Sequence, residues 1–537
     1  MCGLRPFVAL VALVAFLGVS GSALARPNIV VVLTDDQRWD TVSAMPNVTS
    51  RLVRHGVDFR NAFASNPLCC PSRVSILTGR YSHSTGVFSN RPPHGGFVSF
   101  RDRVTIATRL RAAGYWTAYM GKYLNGYANS TYVPPGWDRW LAFANLGYYD
   151  YRLNVDGRLE VGPTRSSVYS TDRLATEAVR FVRSSRRPFF LLLAPYAPHA
   201  PAEPARRHAR AFGALVPWRS PGYRERDVSD KPAWVRAHPR TLRFAPQAFR
   251  RRQLQSLLAV DQMVGHVVRT LREQRLLRNT IVVFTSDNGY LWGEHRLSAK
   301  GKPYEESIRV PLVIRYDALT HGRARSDDRL VANVDLAPTL AAAARTRLPG
   351  AEGRSLLPLL AGRSPRWRGA LLLESLAVRG QAVPTWCAVR TRERKLVAYA
   401  TGERELYDLA RDPHELGSLH DEPAWNGAER ALRARLGRLC NPPPPGLGRS
   451  LLCTHEGGAG PDRLVGSRGF DILCGRAGPD AVSPGPGRDW VFAGEGRDLV
   501  LARDGRRDQV SCGPGRDVAR VDALDVVLEG CEIVRRV

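Results

Sequence analysis

Long hydrophobic stretches and blocks of consecutive basic residues are missing from most of this 537-residue sequence. Beyond residues 7–19, no segment approaches the ~18 apolar residues that a membrane-spanning helix needs, so we do not expect an integral membrane protein. There is no Lys/Arg block of the nucleic-acid-arm type, although 78 Lys+Arg against 50 Asp+Glu give a net charge of +28. We therefore expect no nucleic-acid partner. The charge is interpreted either as solvated surface arginine or as a preference for anionic lipid or acidic polysaccharide.

The hydrophobic fraction of 44% is ordinary for a globular protein and excludes wholesale disorder. The N terminus has a basic residue, an apolar run over residues 7–19 and small residues at 20–25. This layout predicts a secretory signal peptide over residues 1–25, cleaved after Ala25; an uncleaved membrane anchor is the alternative. The protein is therefore expected to be secreted or extracytoplasmic, with a cell surface or periplasm as alternatives.

Cysteine is scarce over the first 380 residues, where only Cys2 and the adjacent Cys69 and Cys70 occur. Six further cysteines follow, an even number that favours disulfides in an oxidising compartment. Sequence alone does not fix their connectivity. The simplest prediction pairs neighbours: Cys387 with Cys440, Cys453 with Cys474, and Cys512 with Cys531.

Short apolar runs alternate with helical patterns over the first 345 residues. Runs at 28–33, 188–194 and 279–286 read as buried strands, and residues 171–184 and 249–275 have helical spacing. This alternation predicts an α/β fold with a mixed, mostly parallel sheet between helices. Acidic and amide residues follow two of the strands, at the end where open α/β sheets bind ligands.

The alternation of strand and helix patterns gives way to shorter pieces after about residue 350. We expect four segments after the signal peptide. They are a large α/β domain at 26–345, a smaller α+β subdomain at 346–440, a stiff Pro/Gly linker at 441–452 and a repeat domain at 453–537.

The last segment repeats Gly and Asp every nine residues, and the Asp residues that define the period are Asp462, Asp471, Asp480, Asp489 and Asp498. A nine-residue Gly/Asp period is typical of a calcium-binding β-roll, in which Gly permits tight turns and carboxylates supply oxygen ligands. Arg and Pro fill several positions that are usually small. A metal-free parallel β-solenoid held by disulfides is the alternative.

The segment Cys69-Cys70-Pro71-Ser72-Arg73, followed by Leu-Thr-Gly, carries the strongest signal in the chain. Judged from residue types alone, the first Cys could be a thiolate nucleophile. The structural alternative is that Cys69 and Cys70 are an ordinary buried or disulfide-bridged pair. The whole string resembles the signature of type I sulfatases, in which the first Cys is converted to formylglycine by a formylglycine-generating enzyme. The resemblance covers roughly residues 27–440 and implies an alkaline-phosphatase-like sulfatase fold.

The resemblance also implies a site. The implied metal ligands are Asp35, Asp36, Cys69, Asp287 and Asn288, and the implied catalytic residues are Cys69, Arg73, Lys122, His199 and Lys300. Three carboxylates and an amide oxygen suit Ca²⁺, with Mg²⁺ as the alternative. Taken singly, each residue has an ordinary explanation, such as a helix cap or a surface cation. Their order and spacing together favour the site.

One departure from the family pattern concerns the group that deprotonates the hydrated formylglycine aldehyde. Many sulfatases read Gly-Lys-Trp-His-Leu-Gly where this chain has Gly-Lys-Tyr-Leu-Asn-Gly, so Leu124 stands where the family has a histidine. This form looks most like the N-acetylglucosamine-6-sulfatase and extracellular heparan-sulfatase branch. Asn125, His83 and His295 are the substitutes we consider, and Lys302 is a second, weaker candidate for the role of Lys300.

Three hypotheses follow. The first is a sulfuric ester hydrolase that releases sulfate, with sulfated carbohydrate as the expected substrate. The second is a phosphate or phosphonate ester hydrolase on the same scaffold, because the metal ligands are shared. The third is a binding protein in which the repeat tail attaches to a cell surface or glycan and catalysis is weak or lost.

Overall fold

The computed structural model describes residues 25–161, 168–239, 246–378, 380–448 and 452–536. Apart from Ala25, the predicted signal peptide lies outside the described residues. The described part contains no helix that is both long enough and apolar enough to cross a bilayer.

The α-helices, numbered in chain order, are α1 (Pro46–Arg51), α2 (Cys69–Thr78), α3 (Ser82–Thr85), α4 (Ile106–Ala112), α5 (Ser170–Ser184), α6 (Ala233–Arg236), α7 (Pro246–Glu273), α8 (Glu305–Ile308), α9 (Asp317–Thr320), α10 (Leu336–Ala343), α11 (Leu357–Leu360) and α12 (Asn426–Leu439). Short 3-10 turns occupy Trp39–Ala44, Val53–His55, Phe97–Ser99, Arg206–His208, Leu277–Asn279, Asn333–Asp335 and Pro423–Trp425.

The strands of the catalytic part are β1 (Asn28–Thr34), β2 (Val57–Phe59), β3 (Ala62–Phe63), β4 (Trp116–Gly121), β5 (Arg139–Asn145), β6 (Arg152–Val155), β7 (Arg158–Val161), β8 (Phe189–Ala194), β9 (Thr280–Ser286), β10 (Leu291–Trp292), β11 (Ser298–Ala299), β12 (Leu312–Arg315), β13 (Arg325–Asp327) and β14 (Val331–Ala332). The subdomain adds β15 (Leu371–Ser375), β16 (Trp386–Arg390), β17 (Arg394–Tyr399) and β18 (Arg404–Asp408).

A ten-stranded sheet organises the catalytic part, in the order β13-β2-β12-β9-β1-β8-β4-β5-β6-β7. Its five central strands, β9 to β5 in that order, are parallel, and antiparallel pairs occur toward both edges. The predicted mixed α/β sheet is confirmed. The C-terminal ends of β9, β1, β8 and β4 lie side by side, and this arrangement builds the site.

Strand β1 has a continuous apolar sequence because both of its faces are covered. Ile29, Val31 and Leu33 pack into one hydrophobic cluster, and Val30 and Val32 pack into another on the opposite face. Strands buried on both faces have no polar side to display, so the alternation seen in half-exposed strands is lost.

The two long predicted helices are present and cover the same face of the sheet. Helix α5 matches the pattern closely, whereas α7 begins at Pro246, three residues before the predicted start. Proline is well tolerated in the first helical turn, where its missing N–H would have no intrahelical partner. The opposite face is covered by α2, α4 and α10, whose apolar residues belong to the other cluster.

Strands β15–β18 form an antiparallel four-stranded sheet on which α12 packs, so the smaller α+β subdomain is present. A disulfide joins Cys387 in β16 to Cys440 at the end of α12. The other two predicted pairs, Cys453–Cys474 and Cys512–Cys531, are also formed. Cys69 and Cys70 are free and buried.

The tail is a two-sheet parallel β-roll. Its strands are β19 (His455–Glu456), β20 (Arg463–Val465), β21 (Ile472–Cys474), β22 (Ala481–Ser483), β23 (Trp490–Phe492), β24 (Leu499–Ala502), β25 (Gln509–Ser511), β26 (Val518–Val521), β27 (Val526–Val527) and β28 (Ile533–Arg536). Odd-numbered strands form one sheet and even-numbered strands the other. Each nine-residue repeat therefore supplies one strand and one turn, and two repeats complete one coil.

The repeated Asp residues form a ladder along the roll. Asp489 Oδ1 accepts the backbone N–H of Asp471 at 2.7 Å, and Asp498 Oδ1 accepts that of Asp480 at 2.8 Å. The second carboxylate oxygens of Asp480, Asp489 and Asp498 are buried and have no hydrogen-bond partner among the described residues. Those oxygens are available to a cation, which fits the predicted calcium role without testing it.

The tail packs directly on the subdomain. Leu432 and Leu436 of α12 share a hydrophobic cluster with Ile472 and Trp490 of the roll, and Leu447 and Leu452 of the intervening segment are buried in it. The segment predicted as a stiff linker thus contributes to the interface between the two units.

Candidate active site

The site lies where four parallel strands end. Asp35 and Asp36 follow β1, Asp287 and Asn288 follow β9, and Lys122 follows β4. His199 lies in the loop that follows β8. Because parallel strands place their carboxyl ends at one edge of a sheet, residues far apart in sequence meet there.

A glycine explains the Gly-Lys pair at the end of β4. Gly121 has φ 125, and a Cβ at this position would lie 2.0 Å from the carbonyl oxygen of Ala194 in β8. The next residue, Lys122, donates its backbone N–H to the same oxygen at 2.7 Å. Only glycine permits this close approach, which fixes where the Lys122 side chain enters the site.

Cys69 is the first residue of α2 and is fully buried. Its Sγ lies 3.5 Å from Asp35 Oδ1, 4.0 Å from Asp36 Oδ1 and 2.7 Å from Lys300 Nζ. Burial raises the pKa of the Cys69 thiol to about 12, although Lys122 and Lys300 oppose that rise. Burial at this position thus opposes formation of a thiolate by an unmodified Cys69.

Three cations balance three carboxylates around Cys69. Lys122 Nζ pairs with Asp35 and Lys300 Nζ pairs with Asp36. Arg73 donates from Nε to Asp287 Oδ2 at 2.8 Å. A divalent cation added to this balanced set would leave net positive charge for an anionic substrate.

The pKa values follow from burial and pairing. Burial raises the pKa of Asp35, but Lys122 and other nearby cations more than offset this and bring it below its ordinary value. Burial and the neighbouring Asp35 raise the pKa of Asp287 to about 6. Burial lowers the pKa of Lys300, but Asp36 outweighs it, so the net pKa lies well above the ordinary value.

The oxygen donors fit a hard divalent cation. Side-chain ligand atoms of Asp35, Asp36, Cys69 and His199 all lie within 4.8 Å of one another. Asn288 Oδ1 is buried and has no hydrogen-bond partner among the described residues, while its Nδ2 donates to Asp36 Oδ1 at 2.8 Å. An orphaned amide oxygen beside carboxylates is the donor set expected for Ca²⁺ or Mg²⁺.

His199 stands at the open side of the cluster. Its side chain is 25% exposed and that of Lys300 is 12% exposed, whereas Asp35 is fully buried. His199 Nδ1 bonds the Ala200 carbonyl oxygen at 2.7 Å, and Nε2 lies 3.7 Å from Asp36 Oδ2. Burial lowers the pKa of His199, with Asp35 and Asp36 opposing the shift. Among the candidate catalytic residues and metal ligands, His199 and Lys300 are thus the most accessible to solvent.

The structure separates the two candidate lysines. Lys302 Nζ donates to the carbonyl oxygens of Ser298 and Lys300 at 2.9 and 2.8 Å. Burial, together with the neighbouring Lys300, lowers the pKa of Lys302 to about 8. Lys302 thus holds the loop that carries Lys300, while Lys300 itself reaches Cys69.

The three substitutes for the missing histidine are differently placed. Within the described residues, His83 pairs with Glu374 at 3.1 Å, and His295 pairs with Glu225 at 2.7 Å and is fully buried. In the described part of the chain, Cys69 Sγ instead contacts Asp35, Asp36 and Lys300. Asn125 has a buried Oδ1 with no hydrogen-bond partner in the described part of the chain. Their roles remain predictions.

Two supporting residues lie outside the motifs that predicted the site. Gln253 of α7 donates from Nε2 to the carbonyl oxygens of Asp36 and Pro198 at 3.4 and 3.2 Å, which ties the helix to two active-site loops. Tyr196 stacks on His199 with ring centroids 4.9 Å apart. A buried polar residue on the apolar face of a helix is the signal that would have drawn attention to Gln253.

Comparison with known proteins identifies the fold family. The Sulfatase family model matches residues 27–346, which is more than half of the chain. The chain belongs to the sulfatase family. Residues 293–441 of this sulfatase match the C-terminal model of N-sulphoglucosamine sulphohydrolase. The RTX calcium-binding nonapeptide repeat matches residues 456–500 and 483–506 of the tail. The predicted family, enzyme class and repeat type are confirmed at this level.

Curated relatives agree with the predicted branch. Human N-acetylglucosamine-6-sulfatase is 35% identical over 397 residues, covering 69% of this chain and 71% of the relative. The Drosophila melanogaster extracellular sulfatase SULF-1 homolog is 37% identical over 380 residues, covering 66% of this chain. The match spans only 34% of the length of that second relative.

Solved structures share the architecture. One, a complex with its substrate D-glucosamine-2-N,6-O-disulfate, superposes with a TM-score of 0.70 and 25% identity over 78% of this chain and 98% of the other. The phosphonate monoester hydrolase of Agrobacterium radiobacter superposes with a TM-score of 0.63 at 22% identity, over 78% of this chain and 96% of the other. At that identity the second comparison concerns the fold alone.

Proposed function

We propose that this sulfatase-family protein is an extracytoplasmic enzyme that hydrolyses sulfate esters of carbohydrates. One observation carries the proposal: the first cysteine of the sulfatase signature, Cys69, begins α2 with its Sγ 3.5 Å from Asp35 and 2.7 Å from Lys300. The relative named N-acetylglucosamine-6-sulfatase and the structure with a disulfated glucosamine support a sulfated amino sugar as substrate.

Formylglycine derived from Cys69 would supply, once hydrated, a hydroxyl nucleophile that a neutral thiol does not provide. Asp35 and Asp36 of the active-site cluster, with Asp287, which accepts the Asp36 backbone N–H, and the unpartnered Oδ1 of Asn288, would hold a divalent cation, which supplies positive charge for the sulfate. A partner enzyme that converts Cys69 is required by this proposal.

The chain's own cations then act on the sulfate. Lys122 pairs with Asp35 and Lys300 pairs with Asp36. Both lysines have a pKa above the ordinary lysine value, because these carboxylates outweigh the effect of burial. They are therefore charged at neutral pH, in fixed positions. Preorganised cations of this kind stabilise the negative charge that moves onto sulfate oxygens and the leaving oxygen as the ester bond breaks.

The leaving alcohol requires a proton. His199 is the partly exposed histidine beside the cluster, and its Nδ1 is held by the Ala200 carbonyl oxygen. This bond orients Nε2 toward the cluster, so a protonated His199 would donate from Nε2 to the departing oxygen.

Modification of Cys69 is the first test. Protein co-expressed with a formylglycine-generating enzyme is digested, and the peptide covering residues 60–80 is analysed by mass spectrometry. We expect the mass of formylglycine at position 69, and Cys69→Ala should abolish hydrolysis of an aryl sulfate while the protein remains folded. Cys70→Ala is the matched control, because Cys70 is an adjacent, equally buried free thiol.

Two results would contradict this proposal. One is a peptide carrying only unmodified Cys69 in an active preparation, and the other is retained turnover in Cys69→Ala. Because a phosphonate hydrolase shares the fold, paired sulfate, phosphate and phosphonate esters are assayed together. A preference for phosphonate or phosphate would replace the proposed substrate class.

A further inference from the structure

A cavity of about 970 Å³ adjoins the active site on its open side. Ala200, which lines it, is the residue whose carbonyl oxygen bonds His199 Nδ1. Ser298 also lines it and accepts a hydrogen bond from Lys302. A ligand in this cavity therefore lies next to the two loops that carry His199 and Lys300.

Tyr290 and Phe249 supply apolar surface to the cavity, and their ring centroids are 5.2 Å apart. Both side chains are largely buried, so packing holds them in place at the cavity wall. Tyr290 follows the candidate ligand Asn288 by two residues. The cavity is therefore adjacent to the loop that follows β9 and carries Asp287 and Asn288.

Three consecutive arginines occupy the first turns of α7, and they are not equivalent. Arg250 packs over the Trp218 ring and donates to the Val216 carbonyl oxygen at 2.8 Å, so it serves the fold. Arg251 and Arg252 line the cavity and are exposed. Within the described residues, neither forms an ion pair with a carboxylate, and Arg252 lies 5.9 Å from the Phe249 ring centroid.

We propose that Arg251 and Arg252 bind a second anionic group of the substrate, a sulfate or carboxylate other than the one hydrolysed. This inference rests on the proposed sulfatase function and narrows its substrate class to glycans with at least two charged groups. Guanidinium groups suit the purpose because their planar donors match the oxygens of sulfate and carboxylate. The cavity would hold the sugar that bears that group.

The test compares substrates that differ in charge. Arg251→Gln/Arg252→Gln is assayed on an aryl sulfate, on N-acetylglucosamine 6-sulfate and on D-glucosamine-2-N,6-O-disulfate. A uronate-containing sulfated disaccharide distinguishes a carboxylate from a second sulfate. We expect the KM of a doubly charged substrate to rise at least tenfold more than that of the aryl sulfate. The salt dependence of that KM should also weaken, because two charges are removed.

Arg269→Gln/Arg272→Gln is the matched control, since it removes two exposed arginines from the other end of the same helix. It should leave the ratio of KM values unchanged. Equal KM changes for singly and doubly charged substrates in the Arg251/Arg252 variant, or the same ratio in both variants, would overturn the inference.

A binding measurement separates this inference from the proposed function. Calorimetry with Cys69→Ala reports the affinity for D-glucosamine-2-N,6-O-disulfate without turnover. If wild type hydrolyses none of the sulfate esters, the proposed function fails, yet loss of affinity on adding Arg251→Gln/Arg252→Gln would still support the anion site. Unchanged affinity would refute it whatever the activity.

Discussion

Replacing Lys300 and Lys302 separately by Met gives the sharpest test of how the site is built. The two lysines are two residues apart, and both are largely buried. Their ammonium groups have different partners: Lys300 contacts Cys69 and Asp36, while Lys302 contacts two backbone carbonyl oxygens. Met keeps most of the side-chain volume and removes the charge, so the comparison isolates electrostatics.

The expected magnitude follows from distance. Lys300 Nζ lies 2.7 Å from Cys69 Sγ, so a sulfate joined to residue 69 would place an oxygen near the ammonium. Two unit charges ~4 Å apart at an effective dielectric constant of about 20 interact by about 4 kcal/mol. Removing one preorganised donor typically reduces kcat by about 10²–10³. We expect a loss of that size for Lys300→Met.

Lys302→Met should behave differently. It loses hydrogen bonds to the carbonyl oxygens of Ser298 and Lys300, each contributing about 1.5–3 kcal/mol when the donor is charged. We expect lower thermal stability, and less than about a tenfold loss of kcat. The assay is steady-state hydrolysis of an aryl sulfate, with circular dichroism and thermal melting to verify the fold. Equal losses in the two variants, or near-wild-type kcat for folded Lys300→Met, would refute the assignment.

Three further predictions concern stability. Burial opposes protonation of His83, but its carboxylate partners outweigh burial and raise its pKa to about 9. The stability of about 1–3 kcal/mol that this pairing contributes is therefore complete below pH ~6.5 and is lost as pH rises through 9. His83→Gln should flatten the pH dependence of the urea-unfolding free energy across that range, and an unaltered pH profile would contradict this. Gly437→Ala should destabilise the protein by about 1–3 kcal/mol, because the added Cβ would lie 2.4 Å from Ile472 Cδ1 in the tail. Gly427→Ala is the control in the same helix, and it should not destabilise the protein because nothing lies within 4 Å of its Cβ. Equal melting temperatures of the two variants would count against packing of the tail on α12. Burial raises the pKa of Asp489 to about 8, so in EDTA the tail should lose stability as the pH rises from about 5 to about 8. Added Ca²⁺ should raise the melting temperature more at pH ~8 than at pH ~5. The absence of a calcium effect at the higher pH would argue for a metal-free roll.

Most elements could be predicted from local pattern. The run at 28–33 could be read as a strand buried on both faces because nothing in it is polar, and both neighbouring sheet faces are indeed covered. The nine-residue period predicted a roll because each repeat supplies one strand and one turn. The start of α7 was misplaced by about one turn, because Pro246 is compatible with both a loop and a first helical turn.

The candidate site was harder to resolve. By resemblance, motif spacing predicted Cys69 and its partners and ranked Lys300 above Lys302, but it did not show what each ammonium group contacts. That distinction depends on where a loop directs each side chain, and residues two apart in an irregular loop carry no periodic signal. Gln253 and the cavity beside Arg251 were missed for the same reason: they meet the active site only through folding of distant segments.

The amino-acid sequence by itself determined the type and order of the elements, the repeat tail and the chemical groups available, since these follow from local periodicity and residue type. Only the tertiary structure decided which groups meet. Parallel alignment of β9, β1, β8 and β4 brings their carboxyl ends together and concentrates three carboxylates and three cations around one buried cysteine. Burial then shifts their pKa values and leaves His199 and Lys300 at the opening, because desolvation and proximity are properties of the packed chain rather than of its segments.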